Sequence, residues 1–355
     1  MEGNKIISYK GFDENMQCRG FQYEVGKEYK MDVNIKCCER GFHACESPME
    51  VWDYYDMLTS RFAKVEQSGK IDKEDNSTKV CSSKIKISAE LKLADIIKLG
   101  VEWIKDVTSP SKVKATGELN DNGGYSAQIG SSGDYAKIGS SGDSAQIGSS
   151  GYSAQIGSSG DSAKIGSSGY SAKIGSSGYS AQIGSSGDYA KIGSSGNYAK
   201  IGSSGYSAQI GSSGDYAKIG SSGDYAKIGS SGDSAQIGSS GDYAKIGSSG
   251  DYAKIGSSGD SAKIGSSGDS AKIGSSGYSA KIDSTGEDSV VMCAGNKSIA
   301  KATVGSWITL AEWKWNDKKK RDVPVCVKTE YVDGENIKAD TWYQLKNGKF
   351  VEVNE

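Results

Sequence analysis

The sequence predicts a mainly β protein, in which a β-solenoid, or β-roll, of nine-residue repeats stands between an N-terminal α+β domain and a C-terminal β cap. The first observation is a repeat that occurs eighteen times, Gly-Ser-Ser-Gly-(Asp/Tyr)-(Ser/Tyr)-Ala-(Lys/Gln)-Ile, with a single Asn at the Asp/Tyr position and with Asp-Asn-Gly-Gly in place of Gly-Ser-Ser-Gly in the first copy. The second is its phase, because an isoleucine returns at every ninth residue from Ile129 to Ile282. A short fixed period is typical of solenoids, whose units bury their apolar faces only against neighbouring units.

Residues 1–106 are predicted to form the α+β domain. Alternating residues and turn signals predict a strand, a hairpin through Gly26 and two further strands, at residues 6–12, 21–29, 62–66 and 84–87. Ser47, Pro48 and Glu50 occupy the N-cap, first and third positions of a helix start. Apolar residues at helical spacing predict a second helix over residues 89–105.

One cluster in this domain is chemically suggestive: Cys37 and Cys38 precede His43 and Cys45, with Cys18 upstream. Zinc sites commonly use paired cysteines or histidines at wider spacings, so neither a metal nor another cofactor is predicted. His43, the single histidine, and Cys45 would share one face of a strand, but the sequence offers no third residue to orient them as a nucleophile pair. We therefore assign no catalytic residue and take His43 and Cys45 as candidate ligand-binding residues.

Residues 107–124 are rich in Ser, Asn, Asp and Gly at their two ends, and are predicted to be a linker or the opening turn of the solenoid. The repeat region follows at residues 125–301, where the last two copies are degraded.

Each repeat is predicted to be a strand and a turn. In the copy that ends at Ile138, Ala136 and Ile138 share one face of a strand, while Tyr135 and Lys137 share the other. The Gly-Ser-Ser-Gly segment supplies the small residues of a tight turn. Sequences rich in Gly and Ser also serve as flexible linkers, but a linker does not need an isoleucine at every ninth residue. Nine residues do not close a coil, so we expect two repeats per coil with a strand on each side.

The outward positions supply the candidate binding residues of the solenoid. Seven repeats carry tyrosine immediately before the alanine, at Tyr135, Tyr189, Tyr198, Tyr216, Tyr225, Tyr243 and Tyr252. Together with Lys and Asp these residues form a mixed polar and aromatic surface. Two interpretations stay open: the surface binds a protein partner, or it keeps an exposed ladder soluble.

Three specialised solenoid functions can be weighed against the repeat. Calcium-binding rolls place Asp two residues after a glycine, whereas here Asp follows the glycine directly and seven of eighteen repeats lack it. Regular serine pairs leave ice binding as an alternative, although charged and bulky side chains interrupt the strand faces. The repeats contain eleven Asp and twelve Lys, so neither a DNA mimic nor a nucleic-acid-binding surface is predicted.

Residues 302–355 are predicted to be a β cap. Residues 307–313 alternate as a strand, residues 323–327 as its return strand, and Asn347-Gly348 separates two further alternating runs, which is a strong hairpin signal. The end of a solenoid needs such a cover for its exposed strand edges.

The whole chain sets the expected compartment. Its formal net charge is −2, it has no run of eighteen apolar residues, and its first residues lack the apolar core of a signal peptide. Its seven cysteines are an odd, scattered set rather than a disulfide framework. We therefore expect a protein of a reducing cytoplasm that binds neither membrane nor nucleic acid.

The two ends of the chain carry a resemblance. Residues 9–12 (YKGF), 18–27 (CRGFQYEVGK) and 41–46 (GFHACE) resemble an uncharacterised domain common in phage and prophage proteins of gut bacteria. Residues 311–313 and 340–343 resemble the tail of the same proteins. The repeats are also similar to the head repeats of trimeric autotransporter adhesins, which form β-rolls that trimerise. This chain departs from those adhesins in lacking a coiled-coil stalk and a membrane anchor.

These observations give three functional hypotheses. The first is a non-enzymatic phage or prophage scaffold that binds a protein partner or assembles, as a homo-oligomer or otherwise, in the host cytoplasm or in a virion. The second is an intracellular effector against host defence, whose N-terminal domain has an activity or captures a small molecule. The third is an ice-binding solenoid.

Overall fold

The computed structural model describes residues 5–56, 59–74, 78–107 and 126–354. The chain divides into two compact units, Met1–Asp106 and Val107–Glu355. Of the predicted linker at 107–124, only Val107, where a helix ends, belongs to the described residues. Tyr125 also lies outside them. Among the helices of the described ranges, none is long and apolar enough to cross a membrane.

The described residues of the N-terminal unit form seven strands, a 3₁₀ helix and an α-helix. The strands are β1 Ile6–Phe12, β2 Gln17–Cys18, β3 Phe21–Gln22, β4 Glu28–Lys30, β5 Phe42–Cys45, β6 Arg61–Lys73 and β7 Lys79–Leu91. The 3₁₀ helix spans Pro48–Asp53 and the helix α1 spans Leu93–Val107.

Antiparallel pairings close four of these strands into a ring. β1 pairs with β5 and β6, and β7 pairs with β5 and β6 as well as with the short strand β4. Phe12, Val65 and Ile85 are buried in one apolar cluster, and the inner side of α1 contributes Ile96 and Ile97 to another. Burial of these side chains, each about 1.5–3 kcal/mol, holds the unit together.

Three of the predicted N-terminal elements are confirmed and three are wrong in detail. Residues 6–12 form β1, and residues 62–66 and 84–87 lie within the longer strands β6 and β7. The predicted hairpin does not form: Gly26 makes a turn with φ +88°, but β3 pairs with β2, and β4 pairs with β7. The second helix begins at Leu93 rather than 89, because Leu91 still pairs with Phe62 of β6.

The predicted helix start at Ser47 becomes a single stretch of 3₁₀ helix without a side-chain cap. The reason lies in Thr78, which binds the N–H of the residue at the N-cap and the carboxylate of Glu50, two groups that would bind each other in a capping box. Its hydroxyl oxygen accepts the Ser47 N–H at 3.0 Å, and its own N–H donates to the Glu50 carboxylate at 3.0 Å.

The repeat strands are four residues long and alternate between two parallel sheets. The first sheet contains β8 Gln128–Ser131, β10 Gln146–Ser149, β12 Lys164–Ser167, β14 Gln182–Ser185, β16 Lys200–Ser203, β18 Lys218–Ser221, β20 Gln236–Ser239, β22 Lys254–Ser257, β24 Lys272–Ser275 and β26 Val290–Cys293. The second contains β9 Lys137–Ser140, β11 Gln155–Ser158, β13 Lys173–Ser176, β15 Lys191–Ser194, β17 Gln209–Ser212, β19 Lys227–Ser230, β21 Lys245–Ser248, β23 Lys263–Ser266, β25 Lys281–Ser284 and β27 Ile299–Ala302. Neighbouring strands are eighteen residues apart, so that Ile147 pairs with Ile165. The predicted solenoid with two repeats per coil is therefore confirmed.

The interior of the solenoid contains one more column than the sequence predicts. Ala145 and Ile147 point inward as expected, but Ser149, the first serine of the next Gly-Ser-Ser-Gly, is also buried, at 7% exposure. The assignment of all four residues to the turn is therefore wrong. Strand alternation continues through the first glycine and places every second residue, including this serine, on the inner face.

The second glycine of each repeat is fixed by the approach of neighbouring coils. A Cβ atom built on Gly151 would lie 1.9 Å from the carbonyl oxygen of Gly133, and the same contact recurs along the array. In the later coils, from Tyr198 onwards, the left-handed backbone of the turn lies at the Ser/Tyr position, for example Tyr216 (φ 57°) and Ser234 (φ 56°). The glycine is thus required for space rather than for its backbone freedom.

The turns take two forms along the solenoid. In the first coils the N–H of the Ser/Tyr residue donates to the preceding coil, as in Ser153 to Asp134 at 2.7 Å. In the later coils it donates to the following coil, as in Tyr225 to Asp242 at 2.8 Å. The later form begins at Asn197 on one edge and at Asp224 on the other, and each is followed by Asp in the next coil; Asp143 and Asp161 also stand in successive coils but have the earlier form. A tyrosine at that position has no carboxylate or amide oxygen to accept a backbone N–H.

The C-terminal end of the solenoid is covered by two hairpins. They consist of β28 Trp307–Asn316, β29 Arg321–Tyr331, β30 Tyr343–Lys346 and β31 Lys349–Glu352. β28 extends the first sheet beside β26, and β30 extends the second beside β27. The Gly348 N–H donates to the Glu312 carboxylate at 2.9 Å, and the Trp313 indole N–H donates to the Ala294 carbonyl at 3.0 Å. Both predicted strands are confirmed, as is the Asn347-Gly348 turn, whose two residues have positive φ.

Candidate functional site

The N-terminal unit contains a cavity of about 1070 Å³. β1, β5, the turn between β2 and β3, and the 3₁₀ helix with the residues after it supply its walls. This volume is at the upper end of the range used by small-molecule sites, about 300–1,000 Å³. The polar residues inside it decide what it can bind.

Lys10 is the central polar residue of the cavity. It lies on β1 and is only 4% exposed, although a lysine is almost never buried without a partner. Its Nζ donates to the Cys18 sulfur at 3.4 Å and to the His43 carbonyl at 3.2 Å. The rings of Phe12, Tyr23 and Tyr55 stand 5.4–5.8 Å from the same Nζ atom. Aromatic faces stabilise a cation, but none of these groups carries a full negative charge.

Tyr55 is held against the floor of the cavity by Gly11. A Cβ atom on Gly11 would lie 2.3 Å from the Tyr55 ring, so only glycine leaves room for it. The Tyr55 hydroxyl and the Cys18 sulfur are joined by a hydrogen bond of 3.0 Å. Lys10, Cys18 and Tyr55 therefore form one connected polar network beneath the cavity.

Burial shifts the protonation equilibria of this network. Desolvation lowers the pKa of Lys10, and the neighbouring Arg19 acts in the same direction, while Cys18 opposes it. Desolvation raises the pKa of Tyr55, and its hydrogen bond to Cys18 adds to the effect. Perturbed groups that converge on one cavity are typical of functional sites.

The two candidate residues from the sequence, His43 and Cys45, both line this cavity. Burial lowers the pKa of His43, and the positive charge of Lys10 lowers it further. The His43 Nε2 atom is buried and has no hydrogen-bond partner within the described part of the chain. Cys45 is buried on β5, where it stands opposite Tyr9 of β1. The structure thus brings His43 and Cys45 to the same cavity; their role in binding stays a prediction.

The other two cysteines of the sequence cluster are adjacent in the chain, and Cys38 also lines the cavity. The Cys37 N–H donates to the Asp72 carboxylate at 2.7 Å, and the Cys38 sulfur lies 3.2 Å from the Lys79 Nζ. In the described ranges, no three His, Cys, Asp or Glu side chains are grouped as a metal site.

Sequence reasoning missed Lys10, Cys18 and Tyr55 as a group, because they come from three separate segments. One signal was available: Lys10 is the charged residue inside a run, Ser8–Phe12, that is otherwise apolar or small. A lysine in the middle of a buried strand is a candidate functional residue, since burying its charge is costly.

The two repeats of each coil place the tyrosines of the solenoid on two opposite sets of turns. The turns that lead from the first sheet to the second carry a tyrosine in seven successive coils, at Tyr135, Tyr152, Tyr170, Tyr189, Tyr206, Tyr225 and Tyr243. We call this row the tyrosine edge. The opposite turns carry tyrosine at Tyr179, Tyr198, Tyr216 and Tyr252. Four of these tyrosines escaped the sequence prediction because they stand one residue earlier in the repeat, at Tyr152, Tyr170, Tyr179 and Tyr206.

Many of these rings stack along the solenoid axis. Tyr198 and Tyr216 are 5.0 Å apart and nearly parallel, at 6°, and Tyr225 and Tyr243 repeat that geometry. Stacked faces contact each other, so a partner would meet mainly ring edges and hydroxyl groups. The stacks stabilise successive coils; binding by the predicted tyrosines stays untested.

The outer face of the first sheet carries a shallow groove of about 1360 Å³. One wall is the Lys/Gln row and the floor is the row of first glycines, such as Gly202 and Gly220, which have open space where a Cβ would be. The groove contains no polar group comparable with the buried Lys10.

Comparison with known proteins identifies only the N-terminal unit. The family model of a domain of unknown function (DUF7666) matches residues 6–99, which include every cavity residue named above. No curated protein and no solved structure matches the chain. The match supports the predicted resemblance to an uncharacterised domain. It does not support the phage or the bacterial host that the resemblance also implied.

Proposed function

We propose that this chain captures a small molecule in the cavity of its N-terminal unit, and that the solenoid is the scaffold that carries this unit. The observation that supports it is Lys10, a buried lysine that lines a cavity of about 1070 Å³ and has no carboxylate partner among the residues that the structure describes. Burying a charge costs several kcal/mol unless a counter-charge is supplied. A ligand that fills the cavity would supply it.

Ligand-detected NMR on the full chain with a library of small fragments tests this proposal. Saturation transfer to several fragments is expected, and Cys18→Phe, which places a ring in the cavity, should abolish it. Val25→Phe is the matched control, because it adds the same ring at an exposed site outside the cavity. Transfer that persists in Cys18→Phe, or that is absent from the wild-type chain, would contradict the proposal.

A second proposal is that the tyrosine edge binds a protein partner. It is supported by the seven successive coils that carry an exposed ring on one edge, whereas the opposite edge has tyrosine in fewer coils. Tyr152→Asp and Tyr206→Asp use the residue that most other repeats carry at this position, so both should fold normally. A partner recovered by the wild-type chain and lost with the double variant would support the proposal, and equal recovery would overturn it.

The biological setting is carried over from the sequence resemblance and is likewise a proposal: a non-enzymatic phage or prophage protein in the host cytoplasm. Small-molecule capture by the N-terminal unit suits the effector hypothesis, because removal of a host signal needs no catalysis. The fold does not support ice binding, because one serine of each Ser-Ser pair points into the solenoid interior.

A further inference from the structure

Basic and acidic side chains both line the cavity. Among the described residues, no salt bridge involves Lys10 or Arg19. Three acidic residues line the cavity: Asp13, which accepts the N–H groups of Asn15 and Gln17, Asp56, which accepts the N–H of Thr59, and Asp53 at the end of the 3₁₀ helix. Asp13 and Asp56 thus bind local backbone groups.

Arg19 supplies a second cation at the rim of the cavity. It stands in the turn between β2 and β3 with φ 53°, a left-handed conformation that is uncommon for residues other than glycine. The two-residue loop that joins Cys18 to its strand partner Phe21 requires this conformation, and Gly20 has positive φ as well. Arg19 is exposed and follows Cys18, to whose sulfur Lys10 donates.

An aromatic wall adjoins these cations. Phe21 and Tyr23 are 4.8 Å apart edge to face, and Tyr29 stands 5.4 Å from Phe21. All three line the cavity, and Phe21 is 48% exposed despite its apolar ring. An exposed aromatic ring at a cavity mouth can pack against a flat ligand ring.

We infer that the ligand of this cavity is an organic anion, with a carboxylate or phosphate that meets Lys10 and Arg19 and a flat ring that rests on Phe21 and Tyr23. This inference rests on the proposed capture of a small molecule. Lysine and arginine are the usual partners of both anionic groups, through charge-assisted hydrogen bonds. His43 lines the same cavity.

The test compares four probes on the full chain: benzoate, phenyl phosphate, inorganic phosphate and benzyl alcohol. Each is titrated by NMR, with the ring signals of His43 as reporter, since the chain has a single histidine. We expect benzoate or phenyl phosphate to bind at least about tenfold more tightly than benzyl alcohol, as one charge-assisted contact allows. The bound anion should also raise the pKa of His43.

Two variants make the test specific. Lys10→Met keeps an unbranched apolar side chain without the amine and Arg19→Gln keeps a polar residue in the turn; each should reduce the anion preference at least about threefold. Lys70→Met, at an exposed lysine outside the cavity, should leave it unchanged. Arg19 is exposed, so its variant remains informative should Lys10→Met fail to fold.

The outcomes separate the two proposals. Preference for phenyl phosphate and inorganic phosphate assigns a phosphate ligand, and preference for benzoate assigns a carboxylate. Equal binding of benzyl alcohol and the anions, or unchanged preference in both variants, overturns the anion inference and leaves small-molecule capture standing. Failure of the four probes together with the fragment library overturns both.

Discussion

The carboxylate of Asp233 accepts the backbone N–H of Asp251, its counterpart one coil further along the solenoid, at 3.0 Å. Asp233 in turn donates its own N–H to the Asp215 carboxylate at 3.0 Å. The row starts at the Asn197 side chain and continues through Asp269 to the N–H of Glu287. These acidic residues therefore serve as an internal ladder that satisfies turn N–H groups, which would otherwise depend on solvent.

Replacement of Asp233 by alanine should destabilise the solenoid by about 1 kcal/mol, because the Asp251 N–H loses its acceptor. Asp233→Asn should cost less than about 0.5 kcal/mol, since Asn197 already performs this role through its amide oxygen. Urea unfolding of the full chain measures both. Asp161→Ala, in a coil with the earlier turn form, is the control; an equal loss there would show that the ladder contributes nothing.

The two glycines of a repeat should respond differently to alanine. A Cβ on Gly232 would lie 2.1 Å from the Gly214 carbonyl oxygen, so Gly232→Ala forces neighbouring coils apart and should cost about 1–3 kcal/mol. Gly238 has open space at the same point. Gly238→Ala should be neutral or stabilise by up to about 1 kcal/mol, because glycine weakens a strand. Thermal unfolding distinguishes them, and equal shifts in Tm would refute the steric argument.

Local features of this fold are predictable from the sequence, whereas features that depend on contacts between distant segments are not. The period of nine and the inward alternation of Ala145 and Ile147 are local, so they predicted the solenoid and its two repeats per coil. The inward Ser149 and the steric role of Gly151 depend on the neighbouring coil, which the repeat alone does not specify. The cavity was less predictable still, because Lys10 meets Tyr55 only after the strands pair.

The tyrosine stacks should contribute measurable coupling between coils. Tyr198 and Tyr216, with ring centroids 5.0 Å apart, should show a coupling free energy of about 0.5–1.5 kcal/mol in a double-mutant cycle with serine. Serine occupies this position in many other repeats, so the backbone tolerates it. The cycle of Tyr198 with the distant Tyr252 should be additive within about 0.5 kcal/mol. Additivity in the first cycle would mean that the rings stack without stabilising each other.

His43 should have a pKa below its ordinary value of 6.5, first because it is buried and second because Lys10 is positively charged. NMR titration of the single histidine in the full chain measures this value without assignment ambiguity. Lys10→Met should raise the pKa of His43 by removing the second cause, and Lys70→Met should leave it in place. A wild-type pKa at or above 6.5 would contradict the burial of the ring in this cavity.

The same shift predicts how stability depends on pH. The unfolded chain binds a proton at His43 near pH 6.5, whereas the folded chain binds it only at lower pH. The free energy of unfolding should therefore be unaffected by His43 above that pH and fall as the pH drops towards the folded pKa. His43→Asn should remove this part of the slope in urea unfolding between about pH 7 and pH 5, the range in which histidine titrates. An anion bound beside Lys10 should raise the pKa of His43 in the folded chain and so reduce this fall, while the pH at which the fall begins, set by the unfolded chain, stays the same. An unchanged slope in His43→Asn would show that the ring titrates as freely in the folded chain as in the unfolded one.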